Sequence, residues 1–363
     1  MFKTTTKLFL VISSFLFCSS FVASCYDSKK DEALTLRLDL KIDHDSNSVL
    51  PNYLKKLADK VTEKTNKKVN VVSSLTSDGN TSVDRVKSNL TDLAFVSSSS
   101  IKKSDVQTVP KLQTLTRAFK YDNSPDFYEA NTLGDKAKKT SDLFNEIAYK
   151  DWTDQNRMWD GNKYEYFYGP ANDLISFYRG MILIGGDETT LMGIKKAWTE
   201  KNWDAFSAFG IGGGKMSSNG KYIYPMNLLK KHFNNKSLTI PNYQSVKGRE
   251  IGNNKEVHIV FDDMNSFAWT QNKNKTTPYY TFDVSKPEEK VEILYFTDPA
   301  LYDIGIFNNR LPSDIINALS ESIVELAKNN EDPYGPTVGY NGYRVINDAN
   351  TEVYQFQDKA KVN

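Results

Sequence analysis

Asp92-Leu93-Ala94-Phe95-Val96-Ser97-Ser98-Ser99-Ser100 sets four apolar residues directly before four serines. So short and unbroken an apolar run, ending at once in turn formers, reads as a buried strand. Upstream, Leu34 to Ile42 alternates apolar and charged residues, a strand signal. Asn52 to Thr65 places Leu54, Leu57, Ala58 and Val61 at helical spacing. Lys68 to Leu75 is strand-like again, and Ser82 to Leu90 reads as a short helix. The order strand, helix, strand, helix, strand predicts an α/β unit with a parallel sheet.

Downstream the pattern changes. Lys120 to Phe177 is rich in Asp, Asn, Tyr and Trp, including Trp152 and Trp159, and has poor periodicity. It is predicted to be an insertion packed by its own aromatics, with a helix near Asp142 to Tyr149. Tyr178 to Ile184 returns to strand, Gly193 to Phe209 is helical in part, and Pro225 to Phe233 is a further helix. Glu256 to Phe261 and Val291 to Phe296 read as strands. Pro312 to Lys328 is an amphipathic helix with Ile315, Ile316, Leu319, Ile323 and Leu326 on one face. The length suits two lobes of ordinary domain size. The expected divisions are a signal over 1–24, a tether over 25–33, the first lobe from 34–120 and an aromatic-rich insertion over 121–177. The second lobe follows over 178–292, and the chain returns to the first lobe over 293–363.

The signal rests on Lys3 and Lys7, an apolar run from Leu8 to Val22, and Val22-Ala23-Ser24-Cys25. The run is shorter than the ~18–20 residues of a spanning helix, and small residues before a cysteine form a bacterial lipoprotein cleavage pattern. The mature chain is therefore expected to begin at a lipid-modified Cys25 and to sit outside the cell, anchored to the membrane by its acyl chains (diacylglycerol and palmitate). Removing Lys3 and Lys7 shifts the balance from 46 basic against 45 acidic residues to 44 against 45, which gives no electrostatic reason to expect nucleic acid. With only Cys25 left, the mature chain is not a disulfide scaffold, and an apolar core must hold it.

Ser97-Ser98-Ser99 after a strand, and Ser217-Ser218-Asn219 ahead of the helix at Pro225, place hydroxyls where helices begin. Free N–H groups and the helix dipole favour an anion there, although serine caps helices everywhere. Gly210 to Lys215 fails the P-loop spacing, since Phe209 stands where a glycine belongs and Met216 follows the lysine. His44, His232 and His258 show no metal spacing. Asp262-Asp263 follows a strand and suits acid–base work, an amine or a cation; Trp269 offers a face for stacking or cation–π attraction.

These residues resemble a known family. Asp92 to Ser100 looks like the first ligand loop of phosphonate-type substrate-binding proteins, and Tyr178-Arg179-Gly180-Met181 like their first hinge strand. Phe209 to Leu229 is similar to their phosphate loop and helix, and Gly339-Tyr340-Asn341-Gly342-Tyr343 to their C-terminal motif. More narrowly, Trp152-Thr153-Asp154, Asp187-Glu188-Thr189, Lys195-Lys196-Ala197-Trp198, Ser266-Phe267-Ala268-Trp269-Thr270 and Tyr334-Gly335-Pro336 resemble the mycoplasma high-affinity transport system lipoproteins, the extracytoplasmic thiamine-binding lipoproteins. The chain departs from that pattern at Ile42-Asp43-His44-Asp45, where an aromatic contact would stand.

The resemblance implies a type II periplasmic-binding-protein-like fold with two lobes, two mixed sheets and a hinge. It implies capture of thiamine or thiamine pyrophosphate for an ABC permease and its ATPase subunit, with no catalysis, no metal and no cofactor besides the cargo. The ligand residues it implies are Ser97, Ser98, Ser99, Tyr178, Arg179, Ser217, Ser218, Asn219, Asp262, Asp263 and Trp269. The rival readings are a phosphonate or phosphate binder, an exported metal-dependent phosphohydrolase using Asp262 and Asp263, and an adhesion protein.

Overall fold

The computed structural model describes residues 33–40, 49–74, 79–146, 167–251, 256–264 and 289–361. These described residues form one compact unit. The signal, the tether around Cys25, Ile42 to Asp45, Trp152, Trp159 and Trp269 lie outside the described residues.

In chain order the strands are β1 (Leu34–Asp39), β2 (Val69–Ser74), β3 (Leu93–Val96), β4 (Thr108–Arg117), β5 (Leu174–Ile175), β6 (Phe177–Tyr178) and β7 (Gly180–Gly186). They continue as β8 (Ile211–Gly213), β9 (Gln244–Ser245), β10 (Ile259–Asp263), β11 (Lys290–Phe296), β12 (Ala300–Leu301), β13 (Ile304–Asn308) and β14 (Gly342–Val345). A seven-stranded sheet runs β14-β4-β13-β3-β1-β2, with β5 beside β4. β2, β1 and β3 are parallel, as the strand–helix alternation implies. β13 then enters antiparallel between β3 and β4, after the chain has built the other lobe.

The ten-residue strand β4 is absent from the sequence reading, because Pro110 sits inside it. Proline has no N–H for the ladder and is tolerated at bulges. The pairing with β13 shifts register here, from Leu112 opposite Gly305 to Pro110 opposite Ile306. Alternate residues Leu36 and Leu38 of β1 pack against Leu57 and Val61 of the helix Val49–Thr65, and Ile315, Leu319 and Leu326 of the helix Ser313–Lys328 close the same core.

A five-stranded mixed sheet, β11-β7-β10-β8-β9, forms the second lobe. One face buries Ile182, Ile184 and Phe261 against the helices Glu188–Thr199 and Tyr224–His232. The other buries Leu183, Val260, Ile293 and Phe296 against Leu133, Ala137 and Phe144 of the helix Leu133–Asn145. That helix starts nine residues before the expected Asp142 and leaves its own segment to cover the second sheet. Ser141 Oγ accepts a hydrogen bond from Ile293 N at 3.0 Å there. β6 and β12 pair as a short antiparallel ribbon between the sheets, Tyr178 opposite Ala300 and Phe177 opposite Leu301.

Candidate functional site

The first-lobe loop begins where β3 ends. Ser98–Ser100 makes one 3₁₀ turn, closed by Ser100 N donating to Ser97 O at 2.9 Å. The turn separates the three predicted serines. Ser98 is 1% exposed, and its hydroxyl donates to Leu301 O at 3.1 Å. Ser97 and Ser99 keep their hydroxyls on the open side, 3.1 Å apart.

In the second lobe, Ser217 is exposed, Ser218 half-buried and Asn219 buried. Asn219–Ile223 forms a π turn that runs directly into the helix Tyr224–His232, with Pro225 in its first turn. π turns leave backbone groups outside the regular ladder and often mark functional positions. Asn219 Nδ2 donates to Ser97 Oγ at 3.2 Å, so the two predicted loops meet across the lobes. Among the described residues, Asn219 Oδ1 is buried with no hydrogen-bond partner, a donor-seeking acceptor that costs free energy until it is matched.

Beside this contact lies a row of tyrosines. Tyr178 and Tyr302 have ring centroids 5.1 Å apart, and Tyr302 and Tyr340 6.4 Å apart. Burial pushes all three hydroxyls well above the usual phenol range, with nearby aspartates adding to the shift. They therefore stay neutral and offer faces and O–H groups only. Tyr340 Oη donates to Asp303 Oδ2 at 2.7 Å, which puts a carboxylate at that end of the row.

Asp263 stands at the other end. Lys221 Nζ is 3.4 Å from its Oδ2 and 3.0 Å from Asp262 Oδ1. Desolvation pushes the Asp263 carboxyl up to about 6; Lys221 pulls it down and Asp262 adds to the rise. Tyr178 and Tyr302 both feel its charge. Its seat depends on two glycines. A Cβ on Gly220 would lie 2.0 Å from Asp263 Oδ1, and one on Gly180 2.3 Å from Gly220 O. Neither gap admits a side chain, so the π turn can lie directly on the hinge strand.

Three expected ligand residues have other work. Arg179 is fully buried. Its Nε and Nη2 donate to Asp122 at 2.6 and 3.1 Å, Nη1 to Asp126 O and Thr297 O at 2.8 and 2.9 Å, and Nη2 also to Ser124 O at 3.0 Å. All five guanidinium donors are spent within the protein, so Arg179 pins the 122–126 segment to the hinge. Asp262 is 1% exposed and accepts from Gly248 N at 3.0 Å and Asp263 N at 2.8 Å, besides Lys221. The Ser98 hydroxyl is turned inward, as described. Ser97, Ser99, Asn219, Tyr178 and Asp263 are brought together beside the ribbon, and Ser218 immediately precedes the π turn.

Tyr302, Tyr340 and Lys221 were missing from the sequence reading. Tyr340 lies in the quoted C-terminal motif and Lys221 in the second serine segment, so both were within reach; Tyr302 had no local signal. Among the described residues no three His, Cys, Asp or Glu side chains are grouped as metal ligands, and no helix is long and apolar enough to cross a membrane. A surface depression of about 360 Å³, lined by Gly193, Lys196, Ala197, Glu200 and Phe209, lies on the helices Glu188–Thr199 and Trp203–Ser207, away from the tyrosine row.

The family model described as extracytoplasmic thiamine-binding lipoprotein matches residues 46–362. The high affinity transport system protein p37 of Mycoplasma pneumoniae is 41% identical over 342 residues, covering 89% of this chain and 90% of that protein. The p37 protein of Mesomycoplasma hyorhinis is 39% identical over 264 residues, covering 69% of this chain and 64% of its own length. Among solved structures, Mycoplasma hyorhinis Mh-p37, described as a candidate thiamine pyrophosphate transporter, superposes with a TM-score of 0.80 at 31% identity. That match covers 91% of this chain and 98% of the other.

Proposed function

The chain belongs to the extracytoplasmic thiamine-binding lipoprotein family, a family of transport substrate-binding proteins, and from that membership we propose that it captures thiamine or thiamine pyrophosphate outside the cell for an ABC importer. The observation that carries the reading is the convergence of three kinds of group at one place between the sheets. The Ser97 and Ser99 hydroxyls, with Ser218 at the start of the π turn, suit phosphate oxygens. The Tyr178–Tyr302–Tyr340 row suits a cationic heteroaromatic ring. Asp263 and the orphan Oδ1 of Asn219 suit its N–H donors and positive charge.

Thiamine pyrophosphate carries all three features in one molecule: a diphosphate, a thiazolium and an aminopyrimidine. Cargo held by both lobes favours the closed state only through the contacts that closure adds. No bond is made or broken. Acyl chains on Cys25 hold the protein to the outer face of the membrane beside the permease, whose ATPase subunit works from the cytoplasmic side.

A melting-temperature panel tests the cargo. Thiamine, its mono- and diphosphates, phosphate and methylphosphonate are compared on purified protein. Ligand at about 100 times its dissociation constant adds about 2.7 kcal/mol. A shift with the thiamine forms supports the reading; a shift with methylphosphonate alone refutes it.

A further inference from the structure

The C-terminal segment makes contacts that the clamp description leaves out. It starts in the first lobe: Val353 is fully buried in the cluster with Val83, Val86, Val96 and Ile101. Glu352 accepts from Arg344 and from the backbone N–H groups of Asn347 and Asp348, which fixes that end. The chain then travels along the hinge. Phe356 packs on Ala118, Ile175 and Phe177, and its ring is 5.4 Å from that of Phe127. Gln357 Nε2 donates to Ser98 O, the carbonyl at the centre of the first-lobe serine turn.

The last turn, in the helix Phe356–Ala360, reaches the second lobe. Ala360 is 1% exposed and packs with Tyr224 and Ala300. Two side chains of the helix Tyr224–His232 hold its final carbonyls: Asn227 Nδ2 donates to Ala360 O, and Lys231 Nζ to Lys359 O, each at 3.4 Å. That helix continues the π turn of Asn219. One short segment thus grips both ligand-bearing loops from behind.

The two grips differ in strength. The first-lobe end is anchored by buried apolar side chains and a carboxylate with several donors. The second-lobe end has one small buried side chain and two long hydrogen bonds. Long hydrogen bonds are weak, and Lys231 already pairs with Asp298 at 2.5 Å.

From this asymmetry we infer that residues 350–361 form a detachable strap. It stays on the first lobe, docks its last turn on the second-lobe helix when the lobes are together, and lets go when they part. Gln357 is a positioning residue in this scheme, because it fixes the serine turn without touching cargo. The strap opposes opening and slows release. Its effect on cargo rests on the proposed function; its docking does not.

Ala360→Glu tests it in the full-length chain. A carboxylate in that apolar seat undocks the last turn and leaves Phe356 and Gln357 in place. Hydrogen exchange of the ligand-free protein, whose two serine loops already meet through Asn219 and Ser97, is the first readout. Amides of residues 227–232 are expected to exchange about three- to tenfold faster, the scale of one or two weak hydrogen bonds. Those of the helix Ser313–Lys328 should be unchanged. Stopped-flow dissociation of thiamine pyrophosphate should accelerate by a similar factor, and Gln357→Ala should do the same at unchanged melting temperature. If Ala360→Glu folds and exchange at 227–232 is unaltered, the strap is refuted whatever the cargo. If exchange rises and no thiamine form binds, the strap stands and the cargo assignment fails.

Discussion

Arg179→Met removes the guanidinium that holds the hinge together. Five hydrogen bonds are lost in a fully buried place. Asp122 keeps Lys136 at 2.9 Å as a partner, which softens the loss. Ser124 O keeps Lys136 Nζ at 3.2 Å, while the carbonyls of Asp126 and Thr297 lose their guanidinium donor. Breaking a buried ion pair from one side costs about 3–5 kcal/mol, and each unmatched buried acceptor adds about 1 kcal/mol or more. A total near 4 kcal/mol or above is a large part of the ~5–15 kcal/mol that holds a domain. Urea unfolding of the ligand-free protein at neutral pH measures it. Arg179→Lys, a point charge with three donors in place of a five-donor fork, should recover only part of the loss. A stability change below about 1 kcal/mol, together with loss of thiamine pyrophosphate binding by the folded variant, would show Arg179 to be a cargo contact and overturn the hinge assignment.

Three further outcomes follow from the site. Because burial holds the Asp263 carboxyl at about 6, above the usual aspartate range, the folded ligand-free protein binds this proton more tightly than the unfolded chain. Its contribution to stability is therefore lost as pH rises through about 6. Asp263→Asn should raise the melting temperature at neutral pH and flatten that dependence. Binding of a cationic ring should weaken as pH falls below about 6 and release protons, which calorimetry in buffers of different ionisation enthalpy detects. Gly220→Ala drives a methyl group to 2.0 Å from Asp263 Oδ1; an overpacking cost of about 1–3 kcal/mol and weaker cargo binding are expected, and a neutral result would mean the π turn does not rest on Asp263. Ser97→Val with Ser99→Val removes the two hydroxyls that the proposed function assigns to phosphate. Titration calorimetry should show roughly ten- to a hundredfold weaker thiamine pyrophosphate binding and little change for thiamine. Equal losses for both ligands would place the diphosphate elsewhere.

Much of the architecture is legible in local pattern. The alternation of Leu34 to Asp39, the helix through Leu57 and Val61 and the apolar run into Ser97 specify the parallel half of the first sheet, because each of those elements buries its own face. Strands β4, β13 and β14 are harder to read. Pro110 interrupts one, and the others are short and glycine-bearing, defined by their partners and not by their own sequence. The site divides in the same way. Serines after a strand announce helix starts, and those segments do meet at Ser97 and Asn219. Sequence cannot show which hydroxyls a single 3₁₀ turn sends inward, and so Ser98 reads like its neighbours. Arg179 beside Tyr178 reads as a ligand pair, yet strand alternation sends the two side chains to opposite faces, one into the hinge and one into the tyrosine row. Tyr178, Tyr302 and Tyr340 are far apart in the chain, and the β6–β12 ribbon is what assembles them.

A crystal structure of the protein grown with thiamine pyrophosphate tests the central claim most directly. The account places the diphosphate within hydrogen-bonding distance of Ser97, Ser99 and Ser218, and the thiazolium against Tyr178 or Tyr302 with Asp263 beside the ligand. Cargo seated in the outer depression lined by Lys196 and Phe209, with the tyrosine row and both serine loops untouched, would contradict it.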